Sequence, residues 1–330
     1  MAGVTVAVEE GDILDRPADV AAFKYADGLY GADLAAVRQL DPRSADVEPR
    51  LPGPGGRLVV RGRPAVAAEH VLFVGLPSLP TLTYVHVREF ARRAVTVVAA
   101  ELPDAVELTM TLHGPGFGLD ESEAFRAQVA GVLEAVEERR PRALRRVTFV
   151  ELSRRRADRM RGLLEEFGVT EPDMVLKADG RPRTGPPGDS GSAPWTAGSA
   201  SQFRPHAFVA MPFHDAFEDR FHFGIAPRVH DAGMLCERMD QVSFTGDVVE
   251  MMKRRISSAE VVVADLSESN PNVYLEVGYA WACRIPTILM CDDATEPAFD
   301  VRGHRFLRYT SIRRLAELLA VELDGIRSRR

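Results

Sequence analysis

Asp265 and Glu276 are the two side chains of this sequence best placed to do chemistry. Asp265 ends an apolar run, Val261-Val262-Val263-Ala264, that reads as a buried strand. Glu276 sits inside the apolar segment Val273-Tyr274-Leu275-Glu276-Val277-Gly278-Tyr279-Ala280-Trp281, which reads as a helix opening near Pro271. Asn270, Asn272 and Tyr274 lie between them. A carboxylate in an apolar helix is costly unless something compensates it. Placed where a parallel strand ends, at the ligand edge of an open α/β sheet, it can stabilise a developing cation, attack a carbon or orient hydroxyls. The pattern suits a polar, hydroxyl-rich substrate. Plainer readings stand beside it. Asp is a favoured helix cap, and Asn270-Pro271-Asn272 forms turns whatever its chemistry. Glu276 is the residue such readings explain least well.

The elements that must position these residues alternate between strand and helix. The spacing predicts strands at His206–Met211, Met234–Arg238, Val261–Asp265, Pro286–Cys291 and Arg305–Tyr309. Between and after them it predicts helices from Phe213 to about Ala232, Thr245–Ser257, Asn272–Cys283 and Ile312–Ile326. Such alternation implies a parallel sheet with helices on both faces. Arg238 and Asp240 then end the second strand and face the same edge as Asp265. Gly278 reads as a close helix–sheet contact, and Trp281 as core.

Upstream, residues 177–205 are rich in Gly, Pro and Ser and read as a flexible linker. They separate a first domain, 1–176, from a second, 206–330. The first is also mixed. Strands are predicted at Val4–Val8, Val20–Lys24, Leu58–Arg61, His70–Gly75, Ala105–Leu112 and Arg146–Val150, with helices at Gly31–Gln39, Val85–Ala100 and Glu121–Arg139. The whole chain is thus α/β.

The bulk numbers exclude several classes. A length of 330 residues fits two domains. The formal net charge of −7 argues against general nucleic-acid binding. Arginines at 139–146 and 154–161 read as solvated helix faces. No segment approaches the run of about 18 apolar residues that spans a bilayer, and the N-terminus lacks a secretory pattern. Cys236, Cys283 and Cys291 read as reduced core thiols of a cytoplasmic protein. No Cys/His set has metal-site spacing, so neither metal nor cofactor is expected.

Phe208-Val209-Ala210-Met211-Pro212-Phe213, Asp265-Leu266-Ser267, Asn270-Pro271-Asn272-Val273-Tyr274 and Glu276-Val277-Gly278-Tyr279-Ala280 together resemble the nucleoside 2-deoxyribosyltransferase-like group, which is related to the TIR domains that cleave NAD. The resemblance covers roughly Arg204 to Tyr309. It implies a flavodoxin-like or TIR-like sheet and a carboxylate, Glu276, acting at the sugar carbon of an N-glycosidic bond. Asp265 and Asn272 become partners for ribose hydroxyls. Tyr274 or Phe213 becomes a stacking surface for a base. Met211, Pro212 and Phe213 become substrate contacts, the Met211–His214 turn offering its backbone amides to a phosphate.

Glu10-Gly11-Asp12-Ile13-Leu14 and Ala18–Phe23 resemble the opening of a macro domain, nearer to the divergent macro-like domain fronting leucine aminopeptidases than to a standard ADP-ribose binder. Thr111-Leu112-His113-Gly114-Pro115-Gly116-Phe117-Gly118-Leu119 occupies the place of its second phosphate loop. The resemblance implies ligand contacts from Asp12, Ile13, His113, Gly114, Gly116, Phe117 and Gly118. Lys24-Tyr25-Ala26-Asp27 stands where an Asn-rich stretch is expected.

The two resemblances imply an NAD glycohydrolase, yielding ADP-ribose and nicotinamide. A nucleotide second messenger or ADP-ribose derivative on the macro-like domain would control it, in a homo-oligomeric bacterial antiphage effector. A nucleoside N-glycosidase or 2-deoxyribosyltransferase uses the same residues without a signal. A non-catalytic nucleotide-binding scaffold is the third reading.

Overall fold

The computed structural model describes residues 3–43, 45–167, 194–239, 246–298 and 301–328. They form two compact units, one of residues 1–114 and 122–202, the other of residues 115–121 and 203–330.

In the first unit the strands are β1 (Thr5–Glu10), β2 (Val20–Tyr25), β3 (Arg57–Arg61), β4 (His70–Gly75), β5 (Glu107–Met110) and β6 (Arg146–Glu151). They pair in the order β1-β6-β5-β2-β4-β3. All neighbours are parallel except β3, which runs antiparallel to β4 at one edge. The helices are α1 (Gly31–Leu40), α2 (Tyr84–Glu101), α3 (Glu121–Arg139) and α4 (Arg154–Glu165). The predicted strands of this half recur with ends shifted by two residues or fewer. The core forms where β2 and β4, buried almost throughout, meet the apolar stripe of α1. Gly131 lets α3 cross α2, since a Cβ there would meet the Arg88 carbonyl oxygen at 2.2 Å.

Residues 194–202 were expected to be linker, and instead they fold with the first unit. Arg88 donates to the carbonyls of Trp195 at 2.9 Å and Ala197 at 2.7 Å, and Ser201 bonds Glu123 in the interior. A Gly/Pro/Ser-rich composition permits tight turns as readily as disorder, and these turns find polar partners. Residues 203–205 group with the second unit, and residues 177–193 lie outside the described residues.

The second unit holds β7 (His206–Ala210), β8 (Leu235–Arg238), β9 (Val261–Asp265), β10 (Thr287–Asp292) and β11 (Phe306–Tyr309), ordered β11-β10-β9-β7-β8 and all parallel. Every residue of β9 is buried, as a central strand covered on both faces requires. The helices are α5 (Asp215–Asp219), α6 (Ala226–Asp231), α7 (Gly246–Ser257), α8 (Pro271–Ala282) and α9 (Ile312–Arg327). The α5–α6 segment packs with α9, and α7 with α8. Right-handed crossovers place these two pairs on opposite faces.

The expected single helix from Phe213 to Ala232 is interrupted by a π-turn at Arg220–Ile225. Pro227 follows, and its missing N–H removes one bond from the α-helical ladder. Gly278 departs from expectation too. It is exposed and nothing lies within 4 Å of a Cβ built on it, because α8 turns Val273, Glu276, Val277 and Ala280 inward. Trp281 is only half-buried and stacks on His304 at 4.3 Å. Cys283 is likewise half-buried. No helix among the described residues is long and apolar enough to cross a membrane.

Candidate functional site

Renumbered within the second unit, the sheet order is 2-1-3-4-5. The chain leaves β7 for β8 on one side, then returns past β7 to β9 on the other. Ligand crevices form at such switch points, beyond the carboxyl ends of the two strands. The residue pair Ala210 and Ala264 closes the β7–β9 ladder, so Met211 and Asp265 come next at that edge.

Helix α8 starts here because Asn270 caps it, its side chain accepting from the Asn272 amide at 2.9 Å, and Pro271 occupies the first helical position. Glu276 lies in the second turn, on the inward face with Val273, Val277 and Ala280. It is 4% exposed. Among the described residues no donor or cation pairs with it. Burial alone pushes its carboxyl up to about 8. The predicted candidate is thus a buried carboxylic acid, held neutral by its apolar surroundings, in the second turn of the helix that follows β9.

Asp265 has no exposed surface and is fully engaged from within. Its Oδ1 accepts from the amide and hydroxyl of Ser267, and its Oδ2 accepts from the Tyr309 hydroxyl at 2.7 Å. Arg220 from the π-turn donates to the Tyr309 hydroxyl at 2.7 Å, lies 3.7 Å from Asp265 and reaches Asp292 at 3.4 Å. The Ser267 hydroxyl accepts from the Asp292 amide at 2.9 Å. This network ties the ends of β9, β10 and β11 to the helix after β7. It gives Asp265 a role different from the expected contact with ribose hydroxyls. Burial raises the Asp265 carboxyl, and burial and then the Asp265 charge raise the Tyr309 hydroxyl. Tyr309→Phe removes hydrogen bonds to Asp265 and Arg220 together. It is expected to cost the second unit about 1–3 kcal/mol, read by equilibrium urea unfolding.

The remaining predicted residues divide. Met211 and Pro212 are buried and Phe213 half-buried. The turn they form opens α5, a helix of five residues without a side-chain cap. Arg238 is 6% exposed, donates to Glu218 at 2.7 Å and lies over the Phe221 ring at 4.1 Å. Glu218 in turn is held down to about 2, first by its bond to His222 and then by Arg238. Tyr274 uses its hydroxyl to accept from the Ala298 amide at 3.1 Å. Asp240 lies outside the described residues. His214, after β7, meets Glu268, after β9, at 2.9 Å across the switch point.

In the first unit Asp12 is exposed and accepts from the Leu14 amide at 2.9 Å, a turn-forming bond, while Ile13 is core. His113 is buried edge-on against Phe90 at 4.5 Å, its Nε2 without a hydrogen-bond partner among the described residues. Burial, reinforced by the nearby Lys24 charge, keeps it neutral. Lys24 pairs with Asp33 in the interior. The expected phosphate loop is divided. Gly114 belongs to the first unit, whereas Gly116, Phe117 and Gly118 group with the second. Asp120 anchors that segment there, accepting from the Cys236 amide at 2.8 Å and pairing with His230 at 2.6 Å.

Arg220, Asp292 and Tyr309 escaped the sequence reading, and Ser267 entered it only within a motif, without a role of its own. Three of these positions share one signal, since Asp292 and Tyr309 end strands and Ser267 follows another, all at the edge already singled out. Arg220 carries no such mark, being one charge among several in a helical stretch.

No protein-family model matches the chain, and no curated protein does. Solved structures similar to it include a Trypanosoma brucei macrodomain in complex with ADP, 16% identical with a TM-score of 0.42, covering 48% of this chain and 69% of that one. An Oceanobacillus iheyensis macrodomain with MES bound is 17% identical with a TM-score of 0.39, covering 48% and 89%. A Clostridium botulinum CMP N-glycosidase is 16% identical with a TM-score of 0.31, covering 36% of this chain and 98% of that one. At such distances these likenesses assign the chain to no family.

Proposed function

We propose that the second unit hydrolyses an N-glycosidic bond, with Glu276 acting at the sugar carbon, and that the pyridinium-ribosyl bond of NAD suits it best. The observation that carries this is the buried Glu276 carboxyl, without a partner among the described residues, in the helix that follows the switch-point strand β9. Among the described residues nothing compensates this buried acid, which costs stability, and such uncompensated groups cluster at functional sites. A pyridinium ring brings positive charge next to it. That charge pulls the carboxyl's pKa down and leaves a carboxylate facing the cation that develops on the sugar. Nicotinamide departs neutral and needs no proton.

The protonated state of the free protein favours a second reading. A carboxyl neutral at pH 7 is a ready general acid for a departing nucleobase, as a nucleoside N-glycosidase or deoxyribosyltransferase requires. The pH profile separates the two. With NAD, kcat/KM is expected to rise about ten-fold per unit up to about pH 8 and then level off, since the free enzyme must lose the Glu276 proton. With a neutral nucleoside that needs an acid, the profile instead falls above about pH 8. Base release followed from pH 5.5 to 9.5 distinguishes them.

For the first unit, the macro-like resemblance motivates a nucleotide-derived ligand, a second messenger or an ADP-ribose derivative. His113, whose Nε2 has no partner among the described residues, and the turn at Asp12 are its proposed contacts. Control of Glu276 chemistry by such a signal, through homo-oligomers and in antiphage defence, completes the proposal. A scaffold without catalysis would consume none of these substrates.

A further inference from the structure

Helix α8 has one charged residue, Glu276, and turns it inward. Its outer face is therefore without charge over its whole length. Pro271, Leu275, Gly278 and Ala282 follow one another at the spacing of a single helical stripe, and all four are exposed, Leu275 by 54%. Half-buried Tyr274 and Trp281 border the stripe on one side and half-buried Tyr279 on the other. Helix α9, by contrast, presents Arg313, Arg314 and Glu317 to solvent. A surface helix ordinarily carries polar side chains outward, and one that is apolar on every face is a covered helix. The sequence of α8 is that of a helix with a partner on both sides.

We propose that a second copy of this chain covers that face, the two α8 helices packing antiparallel about a two-fold axis beside Gly278. The inference rests on the homo-oligomeric reading above and names its surface. The stripe is complementary to itself when reversed. An axis between Gly278 and Tyr279 sets Leu275 of each copy against Ala282 of the partner subunit, a large side chain on a small one. At the crossing, the space where a Cβ of Gly278 would point is open, so the two backbones approach closely. The ends of the helix are complementary in charge. Glu268 stands before α8, exposed and bonded to the His214 ring, and Arg284 follows α8, exposed and without an ion pair among the described residues. Reversal brings the acidic end of each helix to the basic end of the other and opposes their dipoles, whereas parallel pairing sets like against like. The flanks carry both signs, among them Glu250 and Lys253 of α7 near Tyr279, and Glu296 and Arg302 in the connection whose His304 stacks on Trp281. A partner of one strong charge gains little there. Because α8 holds Glu276 on its other face, the contact and the candidate site share one rigid element.

The test is the mass of the full chain by analytical ultracentrifugation from about 1 to about 500 µM, a range suited to a contact that buries less than about 1,200 Å². The mass is expected to climb from one chain to two and to stop there, because a two-fold contact closes. Leu275→Lys and Ala282→Glu each put a charge against an apolar surface, and each is expected to weaken association at least about ten-fold. Combined in one chain, the two new charges face each other twice across the axis, and the double variant is expected to regain most of the loss. Both positions are exposed, so urea midpoints at the lowest concentration are expected to stay near wild type, which separates lost association from lost fold. Losses in the single variants without recovery in the double variant overturn the antiparallel register. A dimer indifferent to all three variants overturns the surface and leaves the homo-oligomeric reading standing. A monomer at every concentration overturns both, while base release tests the N-glycosidase reading separately.

Discussion

Glu276→Gln is expected to stabilise the second unit, by about 3 kcal/mol at pH 7 and by next to nothing near pH 4.5. Unfolded, the carboxyl titrates at its ordinary value of 4.5, whereas folded it titrates at about 8. Between those two values the native state holds a proton that the unfolded state has lost. Stability therefore falls as pH rises through that window, and it levels off above about 8. Glutamine has nearly the shape of the protonated acid and does not titrate. The variant's advantage must grow with pH across the window. Urea unfolding of both proteins at several pH values measures it. An advantage that does not change with pH would show that Glu276 has a partner or water access in solution. The sign also matters for function. A residue that a protein would be more stable without is one retained for another reason.

The same substitution is expected to lower kcat for base release by at least about a thousand-fold, roughly 4 kcal/mol of transition-state stabilisation. The amide keeps the size and much of the polarity of the side chain but can neither carry the compensating charge nor accept the proton of the attacking water. Binding of the substrate changes less, because the charge it answers is greatest in the transition state. Glu276→Asp keeps the charge and withdraws it by one methylene, and intermediate activity is expected from it. The Asp265 network allows a contrast. Its members hold strand ends together, so Tyr309→Phe acts chiefly on stability, the reverse of the activity loss at Glu276.

Much of this was legible in the sequence, and for a physical reason. Alternating strands and helices carry their own periodicity, so β9 and the strand-to-helix passage into α8 stood out from Val261 onward. Glu276 was visible because a single charge interrupts an apolar helix, and the structure puts it on that helix's inward face. The partners of Asp265 were not visible. Arg220 and Tyr309 come from opposite ends of the unit and meet only because the β7–β9–β10–β11 order brings their elements to one edge. Gly278 was misread because helix rotation decides which residues face inward, and a run of apolar neighbours does not fix it. The glycine loop was assigned whole to the first domain, whereas Asp120 holds its second part in the other unit. Local spacing could not show that division, which depends on contacts more than a hundred residues away in the chain.

Base release by the full protein and by Glu276→Gln, side by side, tests the central claim most directly. Each is incubated with NAD, nicotinamide riboside and a panel of nucleosides, without and with candidate nucleotide signals, and free base is quantified by chromatography. The account predicts nicotinamide from the wild-type protein and at least a thousand-fold less from the variant, whose fold is at least as stable. Equal release from both proteins, or no base from any substrate under any of these conditions, would contradict it.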